Sequence, residues 1–184
     1  FRDLTTMGTP ADGVARSVER ESENLDLVLR WPGMAPLVIE NKVFSLPERA
    51  QLDEYRVKTA RWKGAAAQHV LLSMSPPREA IEGWTYLSYQ ALAERIDLAV
   101  ADVEDSAYEI ETVRRYSRVV RLLSALLDTT VVHSGEESAW LDSSQLADID
   151  SNQTRTALRK LRARRVQAVL EDEGPGVGWT EADI

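Results

Sequence analysis

Between Ser17 and Val43 apolar and polar side chains alternate over short stretches, the period of two that marks strands rather than the 3.6 of a helix. Leu25-Asp26-Leu27-Val28-Leu29-Arg30-Trp31 is one such run, Pro36 to Val43 is a second, and Pro32-Gly33 between them is a turn signal. A connection of about four residues predicts an antiparallel hairpin. Ser17 to Glu21 supplies a third strand, joined to the hairpin by a turn at Glu23-Asn24. Residues 1–13, rich in Thr, Gly, Pro and Asp, read as a loop.

A helix follows from Pro47 to about Arg61, with Pro47 early, where its missing N–H costs nothing, Ser45 as the expected cap and Gly64 as the stop. Gln68 to Met74 then reads as a buried strand, broken by Ser75-Pro76-Pro77. Trp84 to Leu87 is a short strand, and Ser88 caps a helix running to about Val100. The order β-β-β-α-β-β-α predicts an α/β fold around a central mixed sheet flanked by helices. The last third turns helical: Val113, Tyr116, Val120, Leu123 and Leu127 fall at helical spacing and predict an amphipathic stripe. Ser134-Gly135 punctuates the chain, Ser143 or Ser144 starts a short helix, and Asp150 to Asn152 caps a final one that Gly174-Pro175-Gly176 stops, leaving an acidic flexible tail. The expected organisation is a core over residues 1–104 and a helical extension over 105–184 packed on it.

Composition changes this picture little. The chain has 184 residues, a length for one domain with an appended helical segment, and 43% of them are hydrophobic, enough for a sizeable core. It has no cysteine, which excludes disulfides and thiolate metal sites and fits a reducing cytoplasm. No apolar run approaches the roughly 18 residues that span a bilayer, and no signal-peptide pattern opens the chain. The first residue is Phe1 rather than Met, so the sequence reads as a fragment or a processed chain.

Charge changes it more. A net charge of −8 argues against a protein that merely coats phosphates. Six of the 22 basic residues nevertheless gather between Gln153 and Leu170 with no acidic neighbour: Arg155, Arg159, Lys160, Arg162, Arg164 and Arg165. A helix so basic either lies on the acidic body of the protein or faces phosphate. Arg114, Arg118 and Arg121 form a second stripe, open to the same two readings of a solvated face or a phosphate contact.

The candidate chemistry lies in the hairpin. Strand alternation sends Glu40 and Lys42 to one face while Ile39, Asn41 and Val43 point to the other. The hairpin can set Asp26 opposite Glu40, giving two carboxylates and an ammonium in one cluster. Two carboxylates suit a hard cation such as Mg²⁺ or Mn²⁺. Such an ion lowers the pKa of a bound water, and a lysine beside it can orient that water or neutralise developing phosphate charge. The bland alternative is an exposed hairpin with a solvated Glu-Lys pair.

Leu25-Asp26-Leu27-Val28-Leu29 followed by Val38-Ile39-Glu40-Asn41-Lys42-Val43 resembles the signature of the PD-(D/E)XK nuclease superfamily, an acidic residue and then E-x-K on the next strand. Gln51-Leu52-Asp53-Glu54-Tyr55 resembles the Q-x-x-x-Y element that follows on a helix in its RecB-like branches, and the likeness spans about residues 17–90. It implies a restriction-endonuclease-like core, an Mg²⁺- or Mn²⁺-dependent phosphodiester hydrolase acting on DNA, and a site of Asp26, Glu40, Lys42, Gln51 and Tyr55. It also implies a further upstream metal ligand, for which Glu21 is the first candidate and Glu19, of the same strand parity, the second. The family places a helix ahead of these strands, where this sequence has few residues. Arg155, Arg159, Arg162, Arg114 and Arg118 are the candidate DNA contacts. The competing readings are a non-catalytic binding or interaction module on the same fold, for instance a subunit of a defence or repair complex, and an RNA-processing nuclease; a homodimer stays open. No glycine-rich phosphate loop or nucleophile elbow is present, and His69, in an apolar strand, reads as a satisfied core residue.

Overall fold

A computed structural model of the chain describes residues 15–103, 107–131, 141, 144 and 146–173. The loop expected over residues 1–13, the break at Ser134-Gly135, the start at Ser143, the stop at Gly174-Pro175-Gly176 and the acidic tail lie outside these residues.

Five strands and four helices follow in the order β1 (Ser17–Ser22), β2 (Leu25–Arg30), β3 (Leu37–Lys42), α1 (Arg49–Thr59), β4 (Gln68–Ser73), β5 (Trp84–Ser88), α2 (Tyr89–Val100), α3 (Tyr108–Asp128) and α4 (Asn152–Glu173). The strands make one mixed sheet in sequence order, antiparallel from β1 to β3 and parallel from β3 to β5. The expected α/β class with a central mixed sheet is therefore present.

Local chemistry explains most of the boundaries. Ser22 faces Leu25, so Glu23 and Asn24 alone make the β1–β2 turn, and both take positive φ (54° and 64°), as a type I′ hairpin requires. Ser88 caps α2 by accepting the Ala91 N–H at 3.0 Å, and Ser151 caps α4 by accepting that of Thr154 at 3.2 Å. Helix α1 departs from expectation at its start: Glu48, in extended geometry, precedes the first turn without a side-chain cap, and Ser45 lies outside the helix. The turn into β5 needs a glycine, because Gly83 has φ +76° and a Cβ there would lie 2.6 Å from the Arg56 guanidinium Nε.

The sheet is covered on both faces, which is why β3 and β4 run almost wholly buried. On one face Leu37, Ile39, Val70 and Leu72 pack with Leu87, Tyr89 and Leu92, and with Val120 of α3. On the other, Val28, Val38 and Leu71 pack with Leu52 and Tyr55 of α1 and with Trp84. Val38, Glu40 and Lys42 share a parity, so Glu40 and Lys42 belong to the α1 face.

The chain forms two compact units, one ending at Val120 and the other beginning at Arg121. In the first, the stripe expected along α3 is corrected in part: Val120 is buried as expected, but Val113 and Tyr116 are 37% and 42% exposed while Ser117 is buried. Ahead of Val120 the contact line runs through polar residues. The Ser117 hydroxyl donates to the Ala93 carbonyl (3.3 Å), and Arg114 donates to the carbonyls of Val100 and Val103 at the end of α2. A small hydroxyl and a carbonyl-capping arginine do there what an apolar pattern assigns to valine and tyrosine.

The second unit uses arginines the same way. Arg165 donates to the Leu127 carbonyl (3.0 Å) and the Thr130 hydroxyl (2.8 Å), and Arg162, only 5% exposed, donates to the Val131 carbonyl. These groups close the C-terminal end of α3, where carbonyls lack intrahelical partners and the helix dipole favours cations. Arg155 donates to the Ile149 carbonyl just ahead of α4. Among the described residues no helix is long and apolar enough to cross a membrane.

Candidate active site

The hairpin register decides which carboxylates meet. Leu27 pairs with Ile39, Val28 with Val38 and Leu29 with Leu37, so the next step along the ladder sets Asp26 opposite Glu40 on the same face. The two strands do not complete that step as backbone pairing. The Asp26 carboxylate instead accepts the Asn41 backbone N–H through Oδ2 at 2.8 Å. Asp26 is close enough to Glu40 to raise the Glu40 carboxyl's proton affinity.

Glu40 is 2% exposed, so the solvated Glu-Lys pair is not what the hairpin carries. Its Oε1 lies 2.9 Å from the Lys42 ammonium. Lys42 also donates to Gln51 Oε1 at 2.6 Å, and Gln51 Nε2 donates to the Tyr55 hydroxyl at 2.8 Å. An ammonium has only donors, so the Gln51 oxygen must face it and the amide nitrogen is left for Tyr55. The i, i+4 spacing on α1 brings Gln51 and Tyr55 to one helix face above the sheet. All of Glu40, Lys42, Gln51 and Tyr55 are therefore linked in one hydrogen-bonded chain, with Asp26 at its edge.

Electrostatics mark Glu40 as the group under tension. Burial pushes its carboxyl above the ordinary range, the Lys42 ammonium pulls it back, and the Asp26 carboxylate pushes it up again. Burial also raises the Tyr55 phenol, so this hydroxyl stays protonated. Glu40 Oε2 has no hydrogen-bond partner among the described residues although it is fully buried. A buried acceptor without a donor costs about 1–3 kcal/mol, and more when it is charged. An acceptor-only oxygen beside a second carboxylate fits a divalent cation, which needs oxygen ligands and supplies the missing positive charge.

Asp26 and Glu40 are the pair that would hold such an ion. The upstream candidates are not joined to them: among the described residues no group of three or more His, Cys, Asp or Glu side chains gathers to hold a metal. Glu21 is exposed and has φ +50°, which interrupts the alternation that would have aimed it with its neighbours. Glu19 is engaged with Arg30 at 2.8 Å.

The candidate DNA contacts separate into two sets. Arg118 and Arg159 are exposed. Arg114, Arg155 and Arg162 are turned onto backbone carbonyls, and Arg162 is buried besides. That placement makes Arg162 an internal strut rather than a phosphate contact. His69 is the core residue expected: 8% exposed, 2.8 Å from the Thr59 hydroxyl, its ring 4.9 Å from that of Trp84.

Sequence reasoning missed two partners of the site. Asn41 lies between Glu40 and Lys42 but faces the opposite side, where the Tyr89 hydroxyl donates to its Oδ1. The available signals were an amide inside a strand and a tyrosine directly after a helix cap, both too common to single out. No family model matches this sequence, and no curated protein and no solved structure matches it either.

Proposed function

We propose that this protein is a metal-dependent phosphodiester hydrolase acting on DNA, with a restriction-endonuclease-like core and a site of Asp26, Glu40, Lys42, Gln51 and Tyr55. The observation that carries the reading is Glu40: a buried carboxylate with one oxygen on Lys42 and the other without a partner, beside a second carboxylate. Sheet stability alone does not call for that arrangement, because a well-packed hydrophobic pair in place of both Glu40 and Lys42 would fill the space at no greater cost. The motif resemblance points the same way.

Asp26 and Glu40 would bind Mg²⁺ or Mn²⁺, with water and phosphate oxygens completing the coordination shell. The bound ion supplies Lewis acidity toward the phosphate and a water of lowered pKa. Lys42 spends two of its three N–H donors on Glu40 and Gln51, and the third is left for the attacking water or a non-bridging phosphate oxygen. Gln51 fixes where that ammonium sits, and Tyr55 fixes Gln51. Water would attack phosphorus and release a proton to solvent while the P–O bond to the leaving sugar oxygen breaks and that oxygen takes a proton from solvent, one strand yielding a phosphate end and a hydroxyl end. DNA phosphates would meet the exposed cations Arg118 and Arg159.

Cleavage of plasmid DNA in Mg²⁺ or Mn²⁺ by wild type and by Lys42→Ala tests the reading. The variant is expected to lose about 10²- to 10³-fold in rate, the loss typical of removing one donor aimed at transition-state charge. Equal cleavage by the two proteins overturns the mechanism.

A further inference from the structure

Resting on the metal-site reading above, we propose that Tyr89 and Asn41 are positioning residues that hold the Asp26 carboxylate against Glu40 from the opposite face of the sheet. The ladder between β2 and β3 ends at Leu27 and Ile39, whereas that between β3 and β4 continues to Lys42 and Ser73. Past Ile39, then, β3 is tied to β4 but has lost its backbone pairing with β2. The Asn41 N–H points to the β2 side and is met there by Asp26 Oδ2 at 2.8 Å. The position of this carboxylate follows the position of the Asn41 backbone.

Asn41 itself is anchored across the sheet. Its side chain leaves on the face opposite Glu40 and Lys42, and its Oδ1 accepts from the Tyr89 hydroxyl. Tyr89 is a fixed point: it is 5% exposed, packs with Leu37, Ile39 and Leu92, and opens a helix capped by Ser88. Burial raises its phenol, so it remains a donor at any working pH. Asn41 is exposed near a strand end, and the phenol's hydrogen bond limits its rotation. The result is a relay from α2 through β3 to a ligand on β2, built from one side-chain and one backbone hydrogen bond. Groups that orient metal ligands in this way typically change metal affinity by about 10- to 100-fold when removed.

Direct Mn²⁺ binding, read from the electron paramagnetic resonance signal of free Mn²⁺, tests the relay without reference to activity. Tyr89→Phe keeps the ring in the core, and Asn41→Ala changes an exposed residue, so either variant can report if the other folds poorly. Each is expected to raise the half-saturating Mn²⁺ concentration about tenfold. The double variant should be no worse than the weaker-binding single, because both cut the same chain. In the metal-free protein the thermal midpoint should stay near that of wild type while hydrogen exchange at the backbone amide of position 41 accelerates. Tyr86→Phe, which removes the hydroxyl of a partly exposed residue on β5, serves as control. Wild-type Mn²⁺ affinity in both variants, with binding lost in Asp26→Asn, overturns the relay alone, as does an equal loss in Tyr86→Phe. Absence of Mn²⁺ binding by wild type overturns the relay together with the metal-site reading.

Discussion

Glu40 and His69 are both buried titratable groups on the α1 face of the sheet. His69 pairs with Val38 on the neighbouring strand, two residues before Glu40. Both are almost wholly excluded from water, and burial shifts both away from their charged forms. Their surroundings differ in one respect. His69 is satisfied by the Thr59 hydroxyl and rests against Trp84, its pKa pushed down to about 4, first by burial and then by the Arg56 charge. It stays neutral and asks for nothing more. Glu40 keeps an oxygen without a partner and has another carboxylate beside it. A buried polar group that is fully paired serves the fold, and one left unpaired needs another explanation. The explanation proposed here is a cation.

The sharpest way to break this contrast is Glu40→Gln. The amide keeps an oxygen for Lys42 and turns a donor toward the acidic neighbourhood, so it removes the tension along with the charge. Cleavage is expected to fall by at least about 10²-fold, the scale of losing one electrostatic element of such a site. Stability in denaturant should rise by about 1 kcal/mol at pH 7, because an unsatisfied buried acceptor is gone. The sign with pH follows from the raised carboxyl: its penalty on the fold exists above its folded pKa and vanishes once acid has protonated it. The gain should therefore shrink as pH falls. A variant that loses both activity and stability would make Glu40 a structural residue like His69.

His69 predicts the opposite pH behaviour, with a somewhat smaller effect. Its folded pKa of about 4 lies below the ordinary 6.5, so the unfolded chain takes up a proton first as pH falls. The neutral imidazole contributes stability in full above about pH 6.5 and loses it progressively toward pH 4. By pH 5 the loss should be on the order of 2 kcal/mol. Urea midpoints at pH 7 and pH 5 for wild type and His69→Gln measure it, since the variant shares every other titration. Equal losses in the two proteins would show that His69 is not the group responsible.

Much of the site was legible because strand parity is a strong constraint. Glu40 and Lys42 two apart, and Gln51 and Tyr55 four apart, each share a face by geometry alone. Asp26 required the hairpin register as well, which the two-residue type I′ turn and the Pro32-Gly33 turn set on either side of β2. What escaped were contacts without periodicity. Tyr89 reaches Asn41 across 48 positions in sequence, and the partners of Arg114 and Arg162 are backbone carbonyls, which no side-chain pattern encodes. The first half of the α3 stripe was misread for the same reason: Ser117 and Arg114 occupy the seam that apolar spacing assigned to Val113 and Tyr116, while Val120 and Leu127 are buried as expected. Glu21 failed differently, since its positive φ breaks the alternation on which its placement depended.

The same division between engaged and unengaged groups sorts the arginines of α4, and gives the smallest expected effect. Arg162 is buried on the Val131 carbonyl, while Arg159, three residues earlier and less than one full turn away on the same helix, is exposed. If α4 meets DNA phosphate through its open positions, Arg159→Ala should lower the slope of log binding constant against log salt by about 1, with the same change for every sequence tested. Arg162→Ala should leave that slope alone and cost about 1–3 kcal/mol in unfolding free energy, because the α3 end loses a charged donor. Binding isotherms at several salt concentrations, paired with denaturant melts, separate the two. A slope that changes in Arg162→Ala but not in Arg159→Ala would reverse the assignment, since phosphate contact requires the residue that water can reach.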